Sequence, residues 1–417
     1  MLWLGGGLSV VALVGLLGLR HASGGPVLAT IAVGRLPWRV VVDEQSRRAF
    51  VVNRGDGTVS VLDSATGMLL RTLAVGADPV AAAVDERTGR VFVANGGDGT
   101  VSVLDAHGDG VVKTVPVGTD PQWLAVDERT ARVFVPNRSE NTVSVLDARN
   151  GAVLRTVPVS LFPFAVAVDE LTDRVFVRCN SGRIVVLDAR NGAVLRTTPV
   201  GRAPWGQVAV DQRTARVFVT NPHDRTVSVL DARDGHVLRT VAVGMEGYSL
   251  AVDARSAVVV VAGPDNAQGR VSVLDARRGT LLRTIAVGYA PWPTTTSTRT
   301  GSVLVSVVGK TDSLGDTTGR GAVSVLDVPR GAVRRTIATG IFPVALAVDN
   351  RTNRVFVVNY TARWSDGKPL AEHASPDWRA RVLPWMGRWL PWLPLPRQSV
   401  FSATGSVTVL DTTRLGQ

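Results

Sequence analysis

From residue 27 onward the chain is one unit written eight times, and no other feature narrows its possible folds as far. The string VSVLD, or a near relative, ends at Asp63, Asp105, Asp147, Asp188, Asp231, Asp275, Asp327 and Asp411. A second string close to VAVD ends at Asp43, Asp85, Asp127, Asp169, Asp211, Asp253 and Asp349, and a degenerate TTTS at 294–297 fills the gap. Neighbouring copies of the first string lie 41 to 44 residues apart over the first six, then 52, then 84. A period in the low forties marks either a propeller blade or a two-helix solenoid. The residues within one unit decide between them. Residues 194–231 contain VLRTTPV, WGQVAVD, RVFVTN and TVSVLD, four short runs rich in Val, Thr and Phe and bounded by Gly, Pro, Asn or Asp. Such runs are strands. Gly-Asp-Gly at 55–57 and Gly-Gly-Asp-Gly at 96–99 supply residues that tolerate positive φ in tight hairpins. The expectation is all-β: a β-propeller of eight four-stranded blades, with seven as the alternative count.

The motif set VG-x-x-P, VAVD-x-x-T-x-R-VFV-x-N and TVSVLD-x-x-x-G resembles the YVTN family of β-propeller repeats. Phe-Val-Ala-Asn at 92–95 and Phe-Val-Thr-Asn at 218–221 stand where that family has its name-giving tetrapeptide. The resemblance runs over roughly 27–411 apart from an insertion, and the seventh unit departs from it by losing VAVD. It implies the order of strands in a blade. The strand after x-x-P is innermost, VFVxN second, TVSVLD third and VLRTIAVG outermost. The chain then starts with an outermost strand and ends with a third strand, so 27–33 should complete the last blade and leave no open edge. The resemblance also implies an exported or cell-surface binding protein. Similar propellers occur as lactonases and as subunits of quinone-dependent dehydrogenases, which is the alternative reading.

Before the repeat, residues 2–19 carry no charge, a stretch long enough to span a bilayer if helical. Residues 1–26 therefore read as a signal peptide or membrane anchor, and 27–417 as a single propeller, placing the protein outside the cytoplasm. The first Arg or Lys is Arg20, after the apolar run, which opposes the positive-inside rule unless the true start lies upstream. Cys179 is the single cysteine, so no intrachain disulfide can form.

Chemistry is sparse along the repeat. The net charge of +11 comes almost wholly from arginine, because Lys113, Lys310 and Lys368 are the only lysines. Most arginines have Asp or Glu within a few residues, whereas nucleic-acid binders concentrate cations along a track with stacking aromatics. Nucleic acid is therefore not the expected partner. The five histidines fall in different units and form no metal constellation. The two rings of aspartates end strands just before turns, where a carboxylate bonds backbone amides two residues on. No catalytic residue, metal or cofactor is expected. The innermost strands, which should line the channel, are polar only at Arg39, Gln122, Gln207 and the terminal aspartates.

Aromatic residues are distributed by type. Phe50, Phe92, Phe134, Phe176, Phe218 and Phe356 recur in second strands, which is core. Trp38, Trp123, Trp205, Tyr248, Tyr289 and Trp292 instead fall in loops entering innermost strands. The remaining tryptophans of the repeat region lie in a break at 360–405 between the second and third strands of the last unit. Its segment PWMGRWLPWLPLP at 384–396 has no parallel elsewhere. Both loop types emerge on one face of a blade. The expectation is an aromatic face for glycan, peptide or another surface protein, with possible membrane contact. Trp38, Trp123, Trp205, Tyr248, Tyr289 and Trp292 are the candidate binding residues, and Trp378, Trp385, Arg388, Trp389 and Trp392 the candidate insertion surface. The competing explanation is that these aromatics pack against the neighbouring blade and the insertion folds onto the ring as a lid.

Overall fold

The computed structural model describes residues 25–107, 110–202, 205–264, 269–288, 291–308, 321–363 and 402–415. They form eight separate four-stranded antiparallel sheets, eight blades rather than seven. Blade 1 illustrates the unit: Pro37–Asp43, Arg48–Asn53, Thr58–Asp63 and Leu69–Ala74, paired in chain order. The first strand of every blade touches that of the next, and the strand of the eighth, Phe342–Asp349, touches Pro37–Asp43, closing the ring about an axial channel. The chain is an eight-bladed β-propeller.

Closure uses both ends of the chain. The strand Val27–Val33 pairs with Ser402–Asp411 as the outermost strand of blade 8, from Val27 opposite Leu410 to Val33 opposite Gly405. The edge that a purely sequential last blade would leave bare is thereby paired. The seventh unit keeps its geometry despite the lost VAVD. Pro291–Ser297 pairs with Ser302–Val307, since ladder hydrogen bonds are made by the backbone and threonine is β-branched like valine.

Burial explains the composition of each strand. Second and third strands are buried on both faces, so VFV and VSVL read as nearly continuous apolar runs. Each core cluster is shared between neighbours. Phe50, Val52, Val59 and Val61 of blade 1 pack with Val91, Val93 and Leu104 of blade 2. Fully burying one such side chain contributes about 1.5–3 kcal/mol. Outermost strands are largely exposed apart from an inward residue such as Val115, Val157 or Ile285, and pairs such as Leu69–Leu70, Val153–Leu154 and Leu281–Leu282 are exposed along the rim.

Two motif rules have visible causes. The strand-ending aspartates are turn residues: Asp43 accepts the amides of Gln45 and Ser46, and Asp63 those of Ala65 and Thr66. The glycine of VG-x-x-P and the asparagine of VFVxN belong together. Asn137 donates to Thr142 Oγ1 (3.0 Å) and Ser144 Oγ (2.9 Å), tying second strand to third. Gly118 of the entering loop lies on that amide so closely that a Cβ would stand 2.7 Å from Asn137 Cγ.

In blade 8 the second and third strands run on as a ribbon, pairing from Arg354 opposite Asp411 to Arg363 opposite Ser402. The insertion beyond it lies outside the described residues, as do Trp378, Trp385, Arg388, Trp389, Trp392 and Tyr289. Among the described residues no helix is long and apolar enough to cross a membrane, and residues 1–24 are not among them.

Candidate functional site

The site begins with the loops that feed the innermost strands. Leu36, Asp78, Asp120 and Phe162, each directly before a proline, adopt φ of 46°, 51°, 61° and 57°. Left-handed backbone is uncommon for such residues and has to be held in place. The neighbouring second-to-third-strand turn supplies the grip. Asp56 takes the amide of Arg35 at 2.6 Å, Glu140 that of Thr119 at 2.9 Å, and Asp224 that of Arg202 at 2.7 Å. The kink presents the residues after each proline to the channel mouth.

Four residues from blades 1, 3, 4 and 5 are joined by contact around this mouth. The guanidinium of Arg39 in blade 1 lies 3.9 Å from the ring centroid of Trp123, which leads into blade 3. Trp123 meets Phe164 of blade 4 with centroids 6.4 Å apart, and Phe164 meets Trp205 edge-on at 5.2 Å. Arg138 covers Trp205 at 5.0 Å and pairs with Asp120 at 3.4 Å. Farther round the ring Tyr248 and Trp292 stack, centroids 5.6 Å apart and rings 20° from parallel. Trp38 has the guanidinium of Arg54 at 5.8 Å, and Arg54 is paired with Asp78.

The candidate residues divide by burial. Trp205 is 9% exposed and Tyr248 3%, so both are mostly packed against their surroundings. Trp205 also has φ of 70° and donates its amide to Asn180 Oδ1 of blade 4 at 3.2 Å. Tyr248 donates its hydroxyl to Glu246 Oε2 at 2.8 Å, and burial together with that carboxylate holds its pKa above the usual phenol value. Trp38, Trp123 and Trp292 are half-buried, less enclosed than Trp205 and Tyr248. The residue-type pattern misses Phe164, which bridges two tryptophans, because the phenylalanines that recur in second strands are core. Its place one residue after the loop proline, where Trp38 also stands, was the available signal.

The opposite mouth is built differently. Glu86 accepts the amide of Glu44, Glu128 that of Glu86 and Glu170 that of Glu128, while Glu44 accepts that of Asn350, so the carboxylates link successive blades. Arginines follow the same path: Arg213 donates to the carbonyl of Ala254 (2.7 Å), Arg255 to Arg299 (2.8 Å) and Arg351 to Glu44 (3.1 Å). This girdle ties the ring together. Among the described residues no three of His, Cys, Asp and Glu gather closely enough to hold a metal ion.

Two family models match parts of the chain. The model for outer membrane protein assembly factor BamB matches residues 22–221, and that for the choice-of-anchor I domain matches 206–377. No curated protein matches. Among solved structures, dihydro-heme d1 dehydrogenase NirN in complex with DHE superposes with a TM-score of 0.59 at 17% identity, covering 79% of this chain and 73% of that one. BamB from Moraxella catarrhalis gives 0.58 at 17% identity, with 79% and 96% covered. Kuenenia stuttgartiensis hydrazine synthase gives 0.51 at 13%, with 78% and 94% covered. These likenesses are in fold: an assembly factor and enzymes share the ring, and function resides in the site each carries.

Proposed function

We propose that this chain is an exported or membrane-tethered propeller of the YVTN type. It acts as a binding or assembly module, through the mouth where its loop aromatics gather. The observation that carries the reading is the Arg39–Trp123–Phe164–Trp205 run, with Trp292 stacked on Tyr248 in another arc of the same mouth. Half-buried tryptophans combine a large apolar body with a polar N–H, the combination that serves recognition of peptides and sugars. The partial matches to an outer-membrane assembly factor and to a choice-of-anchor domain support an envelope setting.

The test uses the half-buried tryptophans. Trp123→Ala combined with Trp292→Ala removes two stacking surfaces, each contributing about 1–3 kcal/mol by analogy with base stacking. Binding to partners selected on a glycan and peptide array should fall roughly 30-fold or more, at about 1.4 kcal/mol per factor of ten. The melting temperature should stay near that of the parent. A large drop in melting temperature, with binding lost only because the ring unfolds, would return both tryptophans to a packing role.

A further inference from the structure

We propose that the aromatic mouth is a carboxylate-binding site, with the Arg39 guanidinium taking the anion and the Trp123 ring and its neighbours taking the apolar body attached to it. The proposal rests on the binding role assigned to this mouth and specifies its ligand chemistry.

Arg39 is the third residue of the innermost strand of blade 1. The matching positions are Ala81 in blade 2 and Trp123 in blade 3. Because Ala81 is a buried small residue, the Arg39 side chain can pass over blade 2 and lie on the indole of a blade two places away. Its Nε is buried without a hydrogen-bond partner, and no carboxylate or carbonyl takes the guanidinium among the described residues.

Three other arginines of this mouth are compensated. Arg54 has Asp78, Arg138 has Asp120, and Arg178 has the carbonyls of Cys179, Arg183 and Gly201. The nearby acids are engaged as well. Asp120 also accepts from Gln122 and Ser139, and Glu246 accepts from Tyr248. A half-buried guanidinium with only an aromatic face for company is under-compensated, since stacking on indole replaces only part of lost hydration. Desolvation lowers its pKa to about 10, which leaves it cationic at neutral pH.

The free groups of a guanidinium form a planar fork of N–H donors that fits a carboxylate by two parallel hydrogen bonds. The surface beside that fork is aromatic: Trp123, Phe164 and Trp205 in series. A carboxylate carried on an apolar body satisfies both. The C terminus of a hydrophobic peptide and a free aromatic acid share this chemistry.

Calorimetric titration of the full chain tests the proposal with benzoate against benzamide, and with a Leu-Phe dipeptide unit N-acetylated and ending in a free carboxylate against the same unit amidated. Benzoate or the free peptide should bind about tenfold or more tightly than its neutral counterpart, as loss of a charge-assisted hydrogen bond requires. Arg39→Gln should remove that preference without lowering the melting temperature, and Arg39→Lys should restore part of it. Preference for the peptide acid alone assigns a chain terminus, and preference for benzoate as well assigns small acids. The proposal is overturned if acid and amide bind equally, if neither acid binds, or if Arg39→Gln leaves the preference intact. Array partners whose binding ignores Arg39→Gln would sink this inference and leave the binding role standing. Benzoate bound through Arg39 in a protein with no array partner would do the reverse.

Discussion

The largest fully buried side chain among the described residues is a cation, Arg178. It stands where blade 4 departs from the repeat: Cys179 replaces the strand-ending asparagine, and Arg183 and Val185 replace the threonine and serine it would bond. Arg178 fills the resulting gap, donating to Cys179 O (2.6 Å), Arg183 O (3.3 Å) and Gly201 O (3.0 Å). Arg178→Ala should cost roughly 2–4 kcal/mol in denaturant unfolding, from stranded carbonyls and a cavity. Restoring the blade 5 pattern with Arg178→Thr, Cys179→Asn, Arg183→Thr and Val185→Ser should recover most of that loss. The departure is plain in the letters VFVRC and RIVVLD, but which atoms it satisfies is not, because one acceptor, Gly201 O, lies in the loop that enters the next blade. The glutamate girdle makes a prediction of opposite kind. Glu86 and Glu128 are held above the ordinary carboxyl pKa, first by burial and then by neighbouring carboxylates including Asp43, Glu44, Asp85 and Glu170. A raised carboxyl pKa means the fold binds protons more tightly than the unfolded chain, so stability falls as pH rises from 4.5 through the folded value, and the cost persists above it. Glu86→Gln with Glu128→Gln keeps an acceptor oxygen for each amide and removes the charge. Thermal melts should show the double variant more stable at neutral pH and flatter above pH 4.5 than the parent. Equal slopes would mean the repulsion is fully screened.

At the scale of elements, the closing strand is the point where local pattern and global architecture meet. Val27–Val33 belongs to blade 8 although more than three hundred residues separate it from its partner strand. Thr30 lies opposite Thr408 in that pairing. Thr30→Cys with Thr408→Cys should oxidise to a bridge that constrains nearly the whole chain, a gain of up to about 6 kcal/mol on the loop-entropy account. Denaturation under oxidising and reducing conditions measures it, and coincident curves would show that this strand is not what limits ring opening. Cys179 does not interfere, because burial pushes its thiol up to about 12 and keeps it from attacking a disulfide. Strand type was legible in the Val-, Thr- and Phe-rich runs, turn residues and terminal aspartates that repeat in each unit, and strand order followed from the resemblance to YVTN repeats. The pairing of Gly118 with Asn137 was not, although both letters recur, because their contact depends on how one loop crosses the next blade.

The whole molecule has two unlike ends. Pro26 O accepts from Asp411 N (2.8 Å), so the chain enters the ring at the ends of the third strands, on the side away from the aromatic mouth. If residues 2–19 anchor the protein, the ring sits near the bilayer with that mouth outward. Full-length protein should then sediment with membranes, and a chain beginning at residue 25 should stay soluble with an unchanged all-β melt. Recovery of soluble protein whose N-terminus lies beyond Ala22 would mean cleavage instead. The sequence by itself determined the class and the eight blades, because both are written in the residue types and the number of copies of one repeated unit; the strand order and the closing strand followed from the resemblance to YVTN repeats. It also located the loop aromatics on one face. Only the tertiary structure decided which of them are buried, as Trp205 and Tyr248 are, and which are half-buried, as Trp123 and Trp292 are. It alone joined Arg39 to Trp123 across the small Ala81. The reason is physical. A repeat specifies each blade through contacts close in sequence, whereas the mouth is made where different blades converge, and there the outcome depends on side-chain volumes that no single unit contains.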